Sequence, residues 1–379
     1  MHDTQGVLMK KWISVFLFCC TILPTPSVFS AEEAASKEAL PHRQLFVSVI
    51  QDPQTLMSLQ AMKDLVVFAK RAGVDTLFVQ VYRSDQTWFP SKVSDDTPYR
   101  EALESAGQDP LAFLIQEAHG AGLQVHAWMN LLSLSTNQNA PILKKYGPGV
   151  LTRKPGEKTK IEDYLIDNQY FLEPSDERVR AYLTELLGEV LQTYPEIDGI
   201  QLDYIRYPDK DPFYGYTEDN MARFSAATGI QNVEEYSPGW KDWRRAQVTE
   251  LVEKLSKTAR ELHPGIVFST TGCAPYSRAY HEAFQDWASW IEKGLVNFVT
   301  MMSYPVDPLD LEENIMGAKA RAPDFQKVNV GLGAYKLLDQ PETFQKQWAV
   351  CMNSGARGCA VFHYGSLLEN PELQKPLTA

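Results

Sequence analysis

Apolar residues along this chain fall into short β-rich runs, and longer stretches with a helical period separate them. The runs cover residues 45–50, 76–82, 124–128, 199–203, 267–271, 298–302, 329–333 and 359–363. Amphipathic spacing predicts helices over 56–71, 110–121, 176–192, 240–263, 284–292, 310–322 and 342–353, and a short eighth over 367–377 that Pro371 and Pro376 interrupt. Several helices end in a glycine just before the next run, as in Arg71-Ala-Gly73 and Asn353-Ser-Gly355, where a C-terminal glycine lets the chain reverse. Asp109-Pro110 and Ser175-Asp-Glu177 supply matching start signals.

Strict strand–helix alternation with continuous apolar strands implies a parallel sheet buried on both faces. Eight such units predict an α/β chain closed as a (β/α)8 TIM-type barrel. An open dinucleotide-binding sheet would need a glycine-rich turn after its first strand, whereas Ile50-Gln-Asp-Pro53 stands there. Long loops follow strands 3 and 4, over 131–174 and 204–239, on the face where barrel sites lie. They carry Tyr146, Tyr164, Tyr170, Phe171, Phe213, Tyr214, Tyr216 and Tyr236. These rings suit stacking on sugars, or equally packing within their own loops.

The chain has 379 residues, 44% apolar and 22% charged, as expected of a globular protein. Its formal charge of −12 lacks the basic footprint of a phosphate-backbone binder, so nucleic acid is excluded as a partner. Residues 1–31 read as a secretory signal, with Lys10 and Lys11 before an apolar run too short to span a bilayer comfortably. The expected organisation is a signal over 1–31, a polar linker over 32–42 and a single barrel over 43–379. A periplasmic or secreted location follows, and a signal left uncleaved would give a transient membrane association. Beyond the signal only Cys273, Cys351 and Cys359 remain, either buried or with two of them paired. Oligomeric state is not legible.

Strand side chains alternate, so equal parity marks one face. Phe78, Gln80 and Tyr82 share a face in the second strand; His126, Trp128 and Asn130 in the third; Gln201 and Asp203 in the fourth; Thr300, Met302 and Tyr304 in the sixth. Polar groups thus recur at strand C-termini, the arrangement of a site rather than of a packed core. Asp203, followed by Tyr204 and Arg206, can attack or electrostatically stabilise an oxocarbenium-like centre, or serve as a structural partner of Arg206. Glycoside cleavage needs a second carboxyl, for which Asp286 is the candidate acid/base, with Asp85, Glu282, Glu173 and Asp307 as further choices. Asp286 also suits an ordinary helix first turn. The histidines and cysteines show no metal-ligand spacing, and the reading calls for no metal and no cofactor.

The strings Thr76-Leu-Phe-Val-Gln-Val-Tyr82, Asp109-Pro-Leu-Ala-Phe113, Glu117-Ala-His-Gly-Ala-Gly-Leu-Gln-Val-His-Ala-Trp-Met-Asn130, Asp198-Gly-Ile-Gln-Leu-Asp-Tyr-Ile-Arg-Tyr-Pro208 and Asp242-Trp-Arg-Arg245 resemble, in order, the glycosyl hydrolase-like 10 family, formerly domain of unknown function 187. The resemblance covers about residues 43–370. It implies a TIM-type barrel and a bacterial envelope enzyme acting on glycan chains, some members being similar to enzymes that cut peptidoglycan strands stripped of stem peptides. It places Asp203 on the acidic position of the fourth-strand motif, Gln80, His126, Trp128 and Asn130 on strand positions, and Asp286 on the acidic position before the fifth helix. Departures from the family pattern stand at Tyr82, in Arg83-Ser-Asp-Gln86, at Tyr204 and in Thr270-Thr-Gly-Cys-Ala-Pro275, positions expected to touch substrate.

The expectation is a glycoside hydrolase of an envelope or extracellular polysaccharide, peptidoglycan glycan strands favoured, with Asp203 and Asp286 catalytic. Gln80, Tyr82, Arg83, Asp85, His126, Trp128, Asn130, Tyr204, Arg206 and Tyr304 would position a polysaccharide or oligosaccharide substrate. The alternatives are a glycan-binding barrel without catalysis and a metal-dependent deacetylase, for which no ligand set stands out.

Overall fold

The computed structural model describes residues 41–378 apart from 157, 211 and 235. The expected signal and most of the linker lie outside the described residues. Eight parallel strands form the central sheet: β1 His42–Val47, β2 Thr76–Arg83, β3 Gln124–Asn130, β4 Gly199–Asp203, β5 Val267–Cys273, β6 Phe298–Met302, β7 Val328–Gly333 and β8 Gly358–Phe362. Because β1 pairs with both β2 and β8, the sheet closes on itself and is a TIM barrel. Around it run α1 Leu59–Arg71, α2 Pro110–Gly120, α3 Glu177–Thr193, α4 Pro238–Leu262, α5 Trp287–Glu292, α6 Pro308–Lys319, α7 Pro341–Met352 and α8 Tyr364–Glu369.

Side-chain caps open several of these helices. Asp109 accepts from Ala112 N at 2.8 Å and Asp176 from Arg178 N at 2.8 Å, each satisfying an otherwise orphaned N–H. Asp286 does the same for α5, so that helix begins at Trp287 and not at Phe284, whose φ of 50° lies outside the helical region. The first strand ends at Val47, earlier than its apolar run, because Ser48 Oγ and Val49 N both donate to Gln80 Oε1 and leave the ladder. Proline breaks the last helix as expected, into α8 and two short turns after Asn370. A disulfide joins Cys351 at the end of α7 to Cys359 in β8, and Cys273 is a buried free thiol.

Strand parity separates two cores. Outward residues pack with the helices, among them Leu77, Val79, Val125, Ala127, Ile200 and Val330. Inside, Phe46, Phe78, Trp128, Phe298 and Ala360 make an aromatic plug, with Phe46 5.1 Å from Trp128 and 4.8 Å from Phe78. His126 lies in this plug, 5.5 Å from the Phe78 ring and 6.2 Å from that of Phe298, and neither ring nitrogen has a hydrogen-bond partner among the described residues. A Cβ at Gly199 would come within 2.5 Å of the imidazole, so glycine opens β4 where the ring needs its space. His126 is therefore a packing residue below the strand ends and does not reach a substrate, correcting the expectation from parity alone.

Burial among these rings pushes the His126 pKa down to about 4 from 6.5. Between those values the unfolded chain takes up a proton that the folded barrel refuses, so stability falls as pH drops from 6.5 to about 4 and levels off below. The wild type should lose on the order of 3 kcal/mol more than His126→Leu across this window in urea unfolding. Parallel pH profiles for the two proteins would contradict the assignment.

Candidate active site

At the C-terminal ends of the strands a cavity of about 370 Å³ opens above the aromatic plug. Asp203 closes β4 at its rim with 4% exposure. Its Oδ1 accepts from Thr271 Oγ1 at 2.6 Å and from the Tyr204 N–H at 2.7 Å. Its Oδ2 accepts from Trp128 Nε1 at 3.1 Å and from Asn130 Nδ2 at 3.3 Å. The donors come from neighbouring strands because the register sets Asn130 opposite Asp203 and places Thr271 at the end of β5. Hydrogen bonds to a charged group contribute roughly 1.5–3 kcal/mol each, enough together to offset the several kcal/mol of desolvating one carboxylate.

A second tier of contacts fixes these donors. Gln80 Nε2 donates to Asn130 Oδ1 at 2.9 Å, while Gln80 Oε1 accepts from Ser48 Oγ at 3.1 Å. The Asn130 amide is thereby turned with its N–H toward Asp203. Gln80 is fully buried and does not line the cavity, so it acts through Asn130.

One wall of the cavity is aromatic. Tyr304 stacks on Phe362 at 5.6 Å, Tyr335 meets Tyr304 edge-on at 6.1 Å, and Trp128 lies 5.9 Å from Phe362. Burial first, and then the Asp203 charge, push the Tyr304 phenol well above its usual value, so it stays a proton donor. The lining also carries charge. Tyr204, at φ 52°, turns the chain back so that the Arg206 guanidinium lies 4.4 Å over the Tyr204 ring. Arg206 approaches Asp203 at 3.8 Å and Asp209 at 4.0 Å, and Asp209 pairs directly with Arg278. Cys273 Sγ lies 3.6 Å from Asp209, and burial pushes this thiol up to about 12. Among the described residues no three His, Cys, Asp or Glu side chains converge as a metal-ligand set.

The cavity thus brings together Arg83, Trp128, Asn130, Asp203, Tyr204 and Arg206 with Tyr304. Besides Gln80 and His126, three further expected site residues sit elsewhere. Asp286 accepts from Tyr276 Oη at 2.5 Å and caps α5, lining a separate cavity of about 760 Å³ with Tyr280, His281 and Arg321. Tyr82 leaves the interior face because a register shift between Gln80 and Tyr82 pairs it with Met129 and turns it into the outer core. Asp85 occupies a two-residue hairpin turn with Ser84, both at positive φ, and is fully buried. It accepts from Tyr182 Oη at 2.7 Å, Ser94 Oγ at 3.0 Å, Ile142 N at 2.9 Å and Tyr82 Oη at 3.3 Å, and burial raises its pKa.

The other carboxyl candidates lie outside the cavity. Glu173 is buried against Tyr207 and Ser175, Asp307 caps α6, and Glu282 ends the short helix Tyr276–His281. Among the loop aromatics, Phe213 meets Tyr236 at 5.3 Å, Tyr216 meets Trp240 of α4 at 5.5 Å, and Tyr164 lines a different groove. Sequence reasoning missed Asp209 and Arg278, and held Thr271 only as part of a string expected to touch substrate. Thr271 was accessible by the parity rule, and Asp209 stands one residue beyond the motif that ends at Pro208, but its pairing with Arg278, 69 residues away, is purely tertiary.

The family model of Glycosyl hydrolase-like 10 matches residues 45–350. Among named relatives, the chain is 24% identical over 316 residues to "Glycosyl hydrolase DigH" of Escherichia coli strain K12, covering 77% of this chain and 69% of that protein. It is 23% identical over 255 residues to "Glycosyl hydrolase YngK" of Bacillus subtilis, covering 62% of this chain and 47% of the relative. In fold it is similar to the catalytic domain of β-amylase from Paenibacillus polymyxa, with TM-score 0.59, 12% identity and coverage of 89% and 97%. A β-galactosidase from Marinomonas ef1 superposes with TM-score 0.55 at 11% identity, covering 85% of this chain and 54% of that one.

The Asp85 network locks the turn after β2 to α3 and to the loop after β3, so its loss is structural. Asp85→Ala should lower unfolding free energy by about 2–4 kcal/mol, since it strands buried donors. Denaturant titration checks this, and an unaltered midpoint would return Asp85 to the list of substrate contacts.

Proposed function

The chain belongs to the glycosyl hydrolase-like 10 family, and we propose that it is a glycoside hydrolase in which Asp203 is the carboxylate that acts on the anomeric carbon. One observation carries the reading: at the end of β4, facing an aromatic wall in a cavity, a nearly buried carboxylate is oriented by four donors. Oδ1, held by the two short bonds, fixes the group, and Oδ2, on longer bonds, is the freer oxygen to approach the sugar. The wall of Trp128, Tyr304 and Phe362 suits the flat faces of a pyranose. Asp203 stabilises the oxocarbenium-like centre, or bonds to it, as the glycosidic C–O bond breaks; an acid protonates the departing oxygen, and water completes the hydrolysis.

Asp286 cannot be that acid from its separate cavity, and we assign the acid/base role to Asp209, the other carboxyl lining the site. Arg206 and Arg278 position Asp209. The substrate proposed is a bacterial envelope or extracellular polysaccharide, with peptidoglycan glycan strands favoured; two bacterial relatives named glycosyl hydrolases support the glycan-cleaving part of this reading. Residues 1–31 are proposed as an export signal to the periplasm or beyond, a placement that the Cys351–Cys359 disulfide supports.

The test incubates the protein with intact peptidoglycan, stem-peptide-free glycan strands, chitosan and starch and measures new reducing ends. Wild type should release them from at least one polymer, and Asp203→Asn, folded by circular dichroism, should be slower by about 10³-fold or more. Full activity in Asp203→Asn removes the assignment. Sugar binding without reducing ends in the wild type would favour the non-catalytic barrel.

A further inference from the structure

Beside the cavity of Asp203, across one short helix, lies a second opening of about 760 Å³. The segment after β5 divides the two. Cys273, Ala274 and Arg278 line the cavity of Asp203, whereas Pro275, Tyr276, Ser277, Tyr280 and His281 line the other. The helical period of Tyr276–His281 turns Arg278 to one side and Tyr276, Ser277, Tyr280 and His281 to the opposite one. The two openings are thus about one helix diameter apart, roughly 10 Å.

The second cavity has a wall of rings that are held in place without being covered. Tyr276 and Tyr280 lie 6.0 Å apart at 32°, and Tyr280 meets His281 edge-on at 5.0 Å. Tyr276 is fixed by its hydrogen bond to Asp286 and by edge contact with the buried Trp287 at 4.9 Å. Tyr280 is fixed by Arg245, whose guanidinium lies 3.9 Å over the ring while its Nη1 donates to the Tyr280 carbonyl at 3.1 Å. Both tyrosines remain only half-buried, and His281 is exposed. Rings whose orientation is settled before a ligand arrives give up little freedom on binding it.

The polar lining is mixed in sign, with Asp286 and Glu292 against Arg321. Asp286 Oδ1 takes the hydrogen bonds from Tyr276 and Ser289, and neither Oδ2 nor the Arg321 guanidinium has a hydrogen-bond partner among the described residues. An open acceptor beside open donors suits sugar hydroxyls, which give and accept alike, better than it suits an ion of one sign. Gly317 of α6 completes the lining. Glycine weakens a helix interior relative to alanine, yet neither backbone nor packing requires it here, since its φ is not positive and a Cβ would meet nothing within 4 Å. Its missing side chain keeps the cavity open.

We propose that this second cavity is an auxiliary glycan-binding site, which takes uncharged pyranose units of a polysaccharide by stacking on Tyr276 and Tyr280 and by hydrogen bonds to Asp286 and Arg321. The inference rests on the glycan-cleaving reading above for its class of ligand and adds a second site to it. A chain held there keeps its neighbouring units at high effective concentration beside Asp203, so long chains are favoured over short ones.

The full protein is titrated with chitohexaose, cellohexaose and maltohexaose, and with the disaccharide of each. Binding is followed by calorimetry and by tryptophan fluorescence, for which Trp287 lies against Tyr276. At least one hexaose should bind about 10-fold more tightly than its disaccharide, since only the longer chain reaches both openings. Tyr280→Ala removes a ring and should weaken that hexaose by about 3- to 10-fold. Gly317→Gln brings in a good helix former whose side chain enters the cavity, and it should weaken binding likewise with the fold intact by circular dichroism. No hexaose binding, no gain over the disaccharide, or unchanged hexaose binding in Gly317→Gln overturns the proposal, whatever Tyr280→Ala does. On a cleaved polymer the two variants should raise KM by a like factor at unchanged kcat, and a fall in kcat at unchanged KM overturns it as well. New reducing ends, with hexaose binding untouched in both variants, would sink this inference and leave the hydrolase reading standing. Loss of hexaose binding in both variants, with no reducing ends from any polymer, would do the reverse.

Discussion

A carboxyl group with 4% exposure at the end of a strand needs donors to replace the water it has lost, and the geometry around Asp203 answers that demand. No single element could supply the replacement. The indole N–H and the amide come from β3, the hydroxyl from β5 and the backbone N–H from the turn after β4. Parallel register with both neighbours is therefore a condition for the site, and barrel closure is what fixes that register. The chain from Ser48 through Gln80 to Asn130 extends the same requirement back to β1, so three consecutive strands in the sheet order serve one side chain on the fourth.

The barrel interior divides accordingly into two zones with different chemistry. Below, Phe46, Phe78, Trp128 and Phe298 exclude water and hold His126 neutral. Above, the ends of β3, β4 and β5 carry Asn130, Asp203 and Thr271 into the cavity lining. Trp128 belongs to both, its ring in the plug and its Nε1 on Asp203. The packing that stabilises the fold is thus continuous with the floor of the cavity, which lets the site be rigid without a dense polar network beneath it.

Much of this was legible in sequence because the barrel repeats one local rule. Each strand is a largely apolar run, most helices have a cap or a terminal glycine, and eight repeats leave few other closures. Parity then picked out Trp128, Asn130 and Asp203 correctly as sharing a surface. It could not say how deep along that surface each residue lies, which is why His126 stands with Trp128 in the pattern but below the cavity in space. Asp286 exposes another limit. The same carboxyl, in the same place before a helix, reads as acid/base or as cap, and only the position of α5 relative to β5 decides it. Asp209 and Arg278 were out of reach because an ion pair between distant loops leaves no periodic trace.

The most consequential failure of the parity rule lies in β2, and it is what equips the cavity. One irregular pairing step between Gln80 and Tyr82 exchanges the faces of everything that follows. Without it Tyr82 would point into the barrel and Arg83 into the helical layer, where an unpaired guanidinium would be prohibitive. With it Tyr82 enters the outer core and meets Asp85, and Arg83 lines the cavity beside Tyr204. The hairpin turn at Ser84 and Asp85 then anchors the displaced strand end through Tyr182 and Ile142. Asp85 is in this sense the counterweight of Arg83: its buried hydrogen bonds hold the bulged strand in the phase that brings Arg83 to the cavity.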